Sequence, residues 1–189
     1  MSEWGRGGNR GQNRPAGPSR GGPRRPGGAG PASRPKRPGS LSVRRVHGEV
    51  FELVHPRCVL EREPDYEEGI ELWKAGDPEG ARDALRYALS GCGDNLWIHV
   101  ALGQIALEVD NDPALARGHF GYAFELAERA LPPRFAGRLP RQIAANRPLH
   151  EAIDGLAACY EALGRAADAA GVRAQGARWA GAQGPSESP

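Results

Sequence analysis

The stretch His55-Pro-Arg-Cys58 places an imidazole and a thiol three residues apart, a spacing that occurs in zinc sites. A complete site would need further nitrogen or sulfur ligands, and the candidates are Cys92, His99 and Cys159. No second close pair accompanies the first, and Cys92 and His99 fall at the end of one expected helix and the start of the next. Buried thiols and scattered histidines are the simpler interpretation, so we expect no metal.

The residues that could act as nucleophiles or hold phosphates form no catalytic pattern. The serines lie almost wholly near the chain ends, and none has the Gly-x-Ser-x-Gly setting of an activated nucleophile. The glycines of GRGGNRGQ follow no expected strand, unlike those of nucleotide-binding loops. The neighbouring carboxylates Glu67 and Glu68 suit the first turn of a helix, where they stabilise its dipole. We therefore expect a protein without enzymatic activity and without a cofactor.

The cysteine count and the hydropathy bear on location. The three cysteines are odd in number and widely spaced, which is typical of reduced thiols in the cytoplasm. No apolar stretch follows the first positive charges, so we expect no secretory signal. No apolar run is long enough to cross a membrane, which takes about 18 residues. These features predict a cytoplasmic protein that does not enter membranes.

Charge and composition divide the 189 residues into two parts. Residues 1–46 hold eleven basic residues and one acidic residue, a formal +10, whereas residues 47–189 hold 14 basic and 22 acidic residues, a formal −8. The first forty residues contain eleven glycines, seven prolines and almost no aliphatic side chain. Such a segment cannot bury enough apolar surface to offset the entropy of ordering. We therefore predict a disordered, Arg/Gly/Pro-rich N-terminal tail over 1–46, and a disordered C-terminus over 183–189.

Asp-Pro occurs at 77–78 and again thirty-five residues later, at 112–113. Asp caps helix N-termini and Pro suits the first helical position, so each copy predicts a helix start. Apolar residues then recur at intervals of three and four, predicting helices from 78 to about 90 and from 113 to about 131. Another helical pattern precedes each copy. The chain is therefore expected to form successive helical hairpins.

Helical pairs that recur at this length resemble the tetratricopeptide repeat (TPR) family. The residues that carry the resemblance are Gly69, Leu72, Gly76, Ala81, Leu85, Ala88 and Leu89 in one unit and Gly103, Ala106, Asp110, Ala116, Phe120, Ala123 and Phe124 in the next. A third unit matches at Ala157, Tyr160, Gly164 and Ala169 and departs at Arg173 and Gly176. The resemblance implies an all-α helical-hairpin solenoid over 65–182, with units at about 62–95, 96–130 and 149–181 and an insertion at 131–147.

Two segments outside the repeats have patterns of their own. Residues 47–64 contain four apolar residues in VFELV, which could form a strand or an extended strap along the first helical hairpin. No partner strand is visible, so we favour the strap, which would cap the apolar end of the solenoid. Self-association is the other way to cover an end, because three repeats are near the minimum for a stable array. The insertion 131–147 is long and basic, which indicates a functional or mobile loop.

The TPR resemblance also implies a groove, formed by the first helix of each hairpin, in which a peptide or partner helix would lie. The groove residues would be Tyr66, Ile70, Trp73, Lys74, Trp97, Val100, Gln104 and Glu108. Aromatic residues anchor interfaces well because they bury much area at little rotamer cost. The alternative is that Trp73 and Trp97 only fill the core. The hypothesis is a non-catalytic protein–protein interaction module or scaffold whose partner is a protein or peptide.

The N-terminal tail supports an alternative hypothesis. GRGGNRG and SRGGPRR resemble the Arg-Gly boxes of RNA-associated proteins, in which guanidinium groups pair with phosphates and stack on bases. The arginines concerned are Arg6, Arg10, Arg14, Arg20, Arg24 and Arg25. They predict non-specific binding of RNA or DNA. A purely compositional origin stays open, because the chain contains 23 arginines and only two lysines, a bias typical of GC-rich genomes.

Overall fold

A computed structural model describes residues 40–181 of the chain. The predictions for most of the basic tail, including the six arginines predicted to bind nucleic acid, and for residues 183–189 lie outside the described residues. Within 40–181 the protein is mainly helical, with helices packed in sequence and one small β-hairpin. The helical fold class is therefore confirmed at this level.

The β-hairpin was not predicted, and it corrects both the strap at 47–64 and the tail boundary at 46. Strand β1, Ser42–His47, pairs antiparallel with β2, Val50–Val54, through a two-residue turn. Gly48 in that turn has φ +48°, a conformation that favours glycine. The basic side chains of β1 are exposed, so its charge composition resembles that of the tail. Its backbone, however, pairs with β2 to form the sheet.

Seven α-helices occur within residues 40–181, and a capping side chain marks the start of three of them. They are α1 Cys58–Glu61, α2 Glu63–Lys74, α3 Pro78–Gly91, α4 Leu96–Glu108, α5 Pro113–Ala130, α6 Arg147–Ala162 and α7 Ala166–Ala180. The side chain of Asp77 accepts a hydrogen bond from Gly80 N at 2.9 Å, and Asp112 accepts from Leu115 N at 2.9 Å. Both Asp-Pro helix starts are therefore confirmed. Helices α2 to α7 form three antiparallel pairs.

Small residues lie where helices approach most closely. Ala81 and Ala116 are fully buried. A Cβ added to Gly69 would lie 2.7 Å from Leu85 Cγ, and one added to Gly103 would lie 2.8 Å from a ring carbon of Phe120. These separations are below ordinary van der Waals contact, so a glycine at each position permits the crossing of α2 with α3 and of α4 with α5.

The segment 131–147 is packed into the fold rather than extended from it. Phe51 N donates to Arg138 O at 2.8 Å, and Arg138 N donates to Glu49 O at 2.7 Å, so the segment pairs with the free side of β2. Asn146, fully buried at the end of a 3₁₀ turn, accepts from Leu53 N at 2.8 Å and donates to Phe51 O. These bonds fix the hairpin against the helices.

Candidate functional site

A cavity of about 570 Å³ lies between the β-hairpin, α1 and the N-terminal ends of α2 and α4. Apolar side chains form much of its wall, and they are Leu53, Val54, Pro56, Val59 and Leu60. Such a concave, mostly apolar site with a few polar groups is the usual form of a binding site for a ligand or a peptide side chain.

An aromatic wall faces these aliphatic residues. Tyr66 of α2 and Trp97 of α4 both line the cavity, so the structure brings together two of the residues predicted from the sequence. The ring of His55 stacks on Trp97, with centroids 6.3 Å apart and planes inclined by 30°. Large flat rings of this kind provide contact area at low entropic cost.

His55 has a defined proton arrangement. Its Nε2 lies 2.8 Å from the carbonyl oxygen of Ala145, which can only accept, so Nε2 carries a proton in this pairing. Its Nδ1 is buried and has no hydrogen-bond partner among the described residues. Burial lowers the pKa of His55, although the bond to Ala145 acts in the opposite direction. The imidazole is therefore held neutral near pH 7.

The position of Trp97 follows from the cap of α4. Asn95 is 1% exposed, and its Oδ1 accepts hydrogen bonds from Trp97 N at 3.0 Å and Ile98 N at 3.4 Å. These bonds satisfy two of the backbone groups that a helix start leaves unpaired. Asn95 thus fixes both the direction of α4 and the place of the indole on the cavity wall.

The outer wall of the cavity is α1, which a disulfide fastens to the helical pairs. Cys58 and Cys92 are bonded, with their Cα atoms 5.5 Å apart. This pairing overturns the prediction of three reduced thiols and removes the cysteine argument for a cytoplasmic location. Spacing along the chain did not reveal it, because the helices α2 and α3 bring the two residues together. Cys159 is free and buried, and burial raises its pKa.

Charged groups border the cavity. Arg44 Nε donates to Glu52 Oε1 at 2.9 Å, which joins the two strands at the edge. Glu63 also borders the cavity, and it forms no ion pair with any described residue. Burial raises the pKa of the Tyr66 phenol, and the carboxylate of Glu151 adds to this effect. Because Arg44 is paired with Glu52 whereas Glu63 is unpaired, the unpaired charge at the cavity rim is negative.

The other predicted groove residues lie elsewhere. Ile70 and Trp73 are half-buried against the smaller of two core clusters, and Lys74 and Glu108 are exposed. Gln104 is half-buried. Val100 is 3% exposed and belongs to the larger core cluster, which also contains Leu53 of the hairpin, so the structure does not offer it to a partner.

The cavity also contains residues that the sequence did not suggest as partner-binding. His55 was considered only as a metal ligand, while Val54, Val59 and Leu60 fell in the predicted strap. Their apolar character was visible, but their convergence depends on the hairpin and on the disulfide. No group of three or more His, Cys, Asp or Glu side chains that could hold a metal occurs within residues 40–181.

Neither hydropathy nor comparison with known proteins indicates what the cavity binds. Over the part of the chain that the structure describes, no helix combines the length and apolarity that a bilayer crossing needs. Comparisons with protein-family models, with curated proteins and with solved structures found no match. The interpretation of the cavity therefore depends on its own residues.

Proposed function

We propose that this protein is a non-catalytic interaction module, built from TPR-like helical pairs, that binds a peptide segment of a partner protein in the cavity beside the β-hairpin. Support for the TPR-like arrangement comes from the three sequential helix pairs and from the close approaches at Gly69 and Gly103. The binding site differs from the groove expected from the resemblance, because it uses the N-terminal ends of α2 and α4 together with α1.

One observation carries the proposal: an apolar cavity with two aromatic anchors opens beside an exposed leucine. Leu60 is 70% exposed although it borders an apolar wall. Single exposed leucines are common, but this one lines the same cavity as Tyr66 and Trp97. A partner side chain in the cavity would cover all three, in the manner of an interface centre.

The charges on the described domain define the chemistry of the partner. Residues 40–181 contain 16 basic and 21 acidic residues, and Glu63 at the rim is unpaired. A segment with a large aromatic or aliphatic side chain next to Arg or Lys would therefore match the site in shape and in charge. Acidic segments would meet Glu63 with unfavourable like charge.

Selection of peptides by the full-length protein from a random peptide library tests the proposal. We expect enriched peptides to share a large apolar residue with a basic neighbour. Leu60→Asp should weaken their binding at least about tenfold, a change worth 1.4 kcal/mol, because it places a carboxylate on the apolar wall. Fluorescence anisotropy of labelled peptides measures this change.

Leu115→Asp is the matched control. Leu115, like Leu60, is an exposed leucine at the third residue of a helix, but it lies on α5 and does not line the cavity. It should leave peptide affinity unchanged. Equal loss in both variants, or enriched peptides that bind Leu60→Asp as well as wild type, would refute the cavity as the binding site.

Nucleic-acid binding stays a prediction about residues outside the described part of the chain. The excess of acidic residues in 40–181 makes this region electrostatically unsuited to a phosphate backbone. Any such activity would therefore belong to the arginine-rich segment.

A further inference from the structure

We propose that the Cys58–Cys92 bond is a reversible thiol–disulfide site, and that a dithiol reductant that opens it releases α1 from the cavity wall. This inference rests on the proposed function, because the released wall is that of the peptide cavity.

The packing of α1 is weak. The helix has four residues, none of them buried. Its hydrogen bonds are local, with Leu60 N donating to Arg57 O at 3.1 Å and Arg62 N donating to Cys58 O at 3.0 Å. The ion pair between Arg57 and Glu61 lies within the same turn and is exposed, so it contributes little. An isolated turn of this length is not stable by itself.

Two anchors flank this turn. Pro56 is buried before it, and the guanidinium of Arg62 lies over the ring of Tyr87 of α3, 5.6 Å from the ring centroid, after it. Between them only Cys58 is joined covalently to another element. Reduction would therefore free 57–61 and leave the hairpin and α2 in place.

The partner cysteine, Cys92, is linked to the helix that carries the indole. Cys92 is 2% exposed and follows α3, and its carbonyl oxygen accepts a hydrogen bond from Asn95 N at 3.2 Å. Asn95 in turn caps α4 and positions Trp97. The disulfide thus connects the wall that carries Leu60 with the wall that carries the indole.

The exchange reaction balances with a dithiol as reductant. A thiolate of the dithiol attacks Sγ of Cys58, which is the less buried of the two cysteines, and expels Cys92 as a thiolate. The second thiol then attacks the mixed disulfide and releases Cys58. Two electrons pass to the protein, which gains two thiols, and the reductant leaves as a cyclic disulfide.

Hydrogen–deuterium exchange of the full chain, with and without dithiothreitol, tests the inference. At labelling times of seconds to minutes, which report local opening, amides of 57–62 should exchange at least about tenfold faster after reduction. Amides of α5 and α6 should not change at these times. The selected peptide should also bind at least about fivefold more weakly to the reduced protein, because Val59 and Leu60 leave the wall.

Cys58→Ser supplies the control. It should exchange at 57–62 like the reduced protein, and the reductant should not alter it further, because Cys159 has no disulfide to lose. Unchanged exchange at 57–62 in reduced wild type would overturn the inference, as would loss of helical circular dichroism on reduction or an unchanged peptide affinity. Absence of peptide binding in both redox forms would instead refute the proposed function.

Discussion

Burial of histidines makes the stability of this protein sensitive to mild acid. Burial lowers the pKa values of His55, His99, His119 and His150. The unfolded chain takes up protons near the ordinary value of 6.5, whereas the folded chain does so only at lower pH. As pH falls below about 6.5, the unfolded state therefore binds more protons and the free energy of unfolding decreases.

For His55 we predict that the free energy of unfolding decreases by up to about 1.4 kcal/mol for each pH unit below about 6.5. Urea unfolding at pH 7.5 and 5.5 measures it. His55→Gln should lower stability at both values but reduce the difference between them, because glutamine does not titrate. Val46→Gln, an exposed change in β1 that removes no titratable group, should keep the wild-type difference. A wild-type stability that is the same at both pH values would contradict the burial argument.

Asn146 is the residue on which the hairpin most depends. Its amide satisfies Leu53 N, Phe51 O and Pro140 O, and the side chain is fully buried. Asn146→Ala should reduce the free energy of unfolding by about 2–5 kcal/mol, because buried backbone groups lose their partners. Chemical denaturation checks this value. Gln142→Ala, an exposed change in the same segment, should stay within about 0.5 kcal/mol of wild type.

At the scale of helices, glycine positions separate packing from helix propensity. The ring of Phe120 lies between Gly103 of α4 and Gly155 of α6, so it cannot move away from a new methyl group. Gly103→Ala should therefore destabilise the protein by about 1–2 kcal/mol, because overpacking exceeds the gain in helix propensity.

Gly118→Ala makes the same change in α5, where an added Cβ meets nothing within 4 Å. It should stabilise the protein by up to about 1 kcal/mol. Thermal unfolding of both variants gives the comparison. A stabilised Gly103→Ala protein would contradict the close approach of α4 and α5.

Local signals predicted the six helices of the three pairs, but not the hairpin, the cavity or α1, which lies in the predicted strap. Asp77 and Asp112 mark helix starts through bonds to residues three positions away, so the sequence contains the whole cause. The pairing of Val43 with Leu53 was missed because Arg44 and Arg45, which follow Val43, led us to assign this segment to the basic tail. Cys58 and Cys92 meet only after α2 and α3 fold back on each other. Long-range contacts of this kind leave no periodic trace along the chain.

At the scale of the whole chain, charge separates the described domain from the segment before it. Residues 1–39 hold nine basic residues and one acidic residue, whereas 40–181 hold 16 and 21. We predict that any affinity of the full chain for single-stranded RNA resides in the first segment. Residues 1–39 hold eight arginines, and replacing six of them, Arg6, Arg10, Arg14, Arg20, Arg24 and Arg25, with glutamine should weaken it strongly.

Filter binding at about 50 and 200 mM salt measures this effect, and a wild-type affinity that falls steeply with salt is the expected signature of phosphate contacts. Peptide binding in the cavity should be unaffected by the six substitutions. RNA affinity that these substitutions leave unchanged would contradict the prediction, because the contact would then not depend on the six arginines.

The most direct test of the proposed peptide-binding role of the cavity is a nuclear magnetic resonance titration of the isotope-labelled full chain with a selected peptide. We predict that the largest amide shift changes will fall on β2, on α1 and on the first turns of α2 and α4, around His55, Leu60, Tyr66 and Trp97. Shift changes confined to α5 and α7, or to residues before 40, would contradict the account.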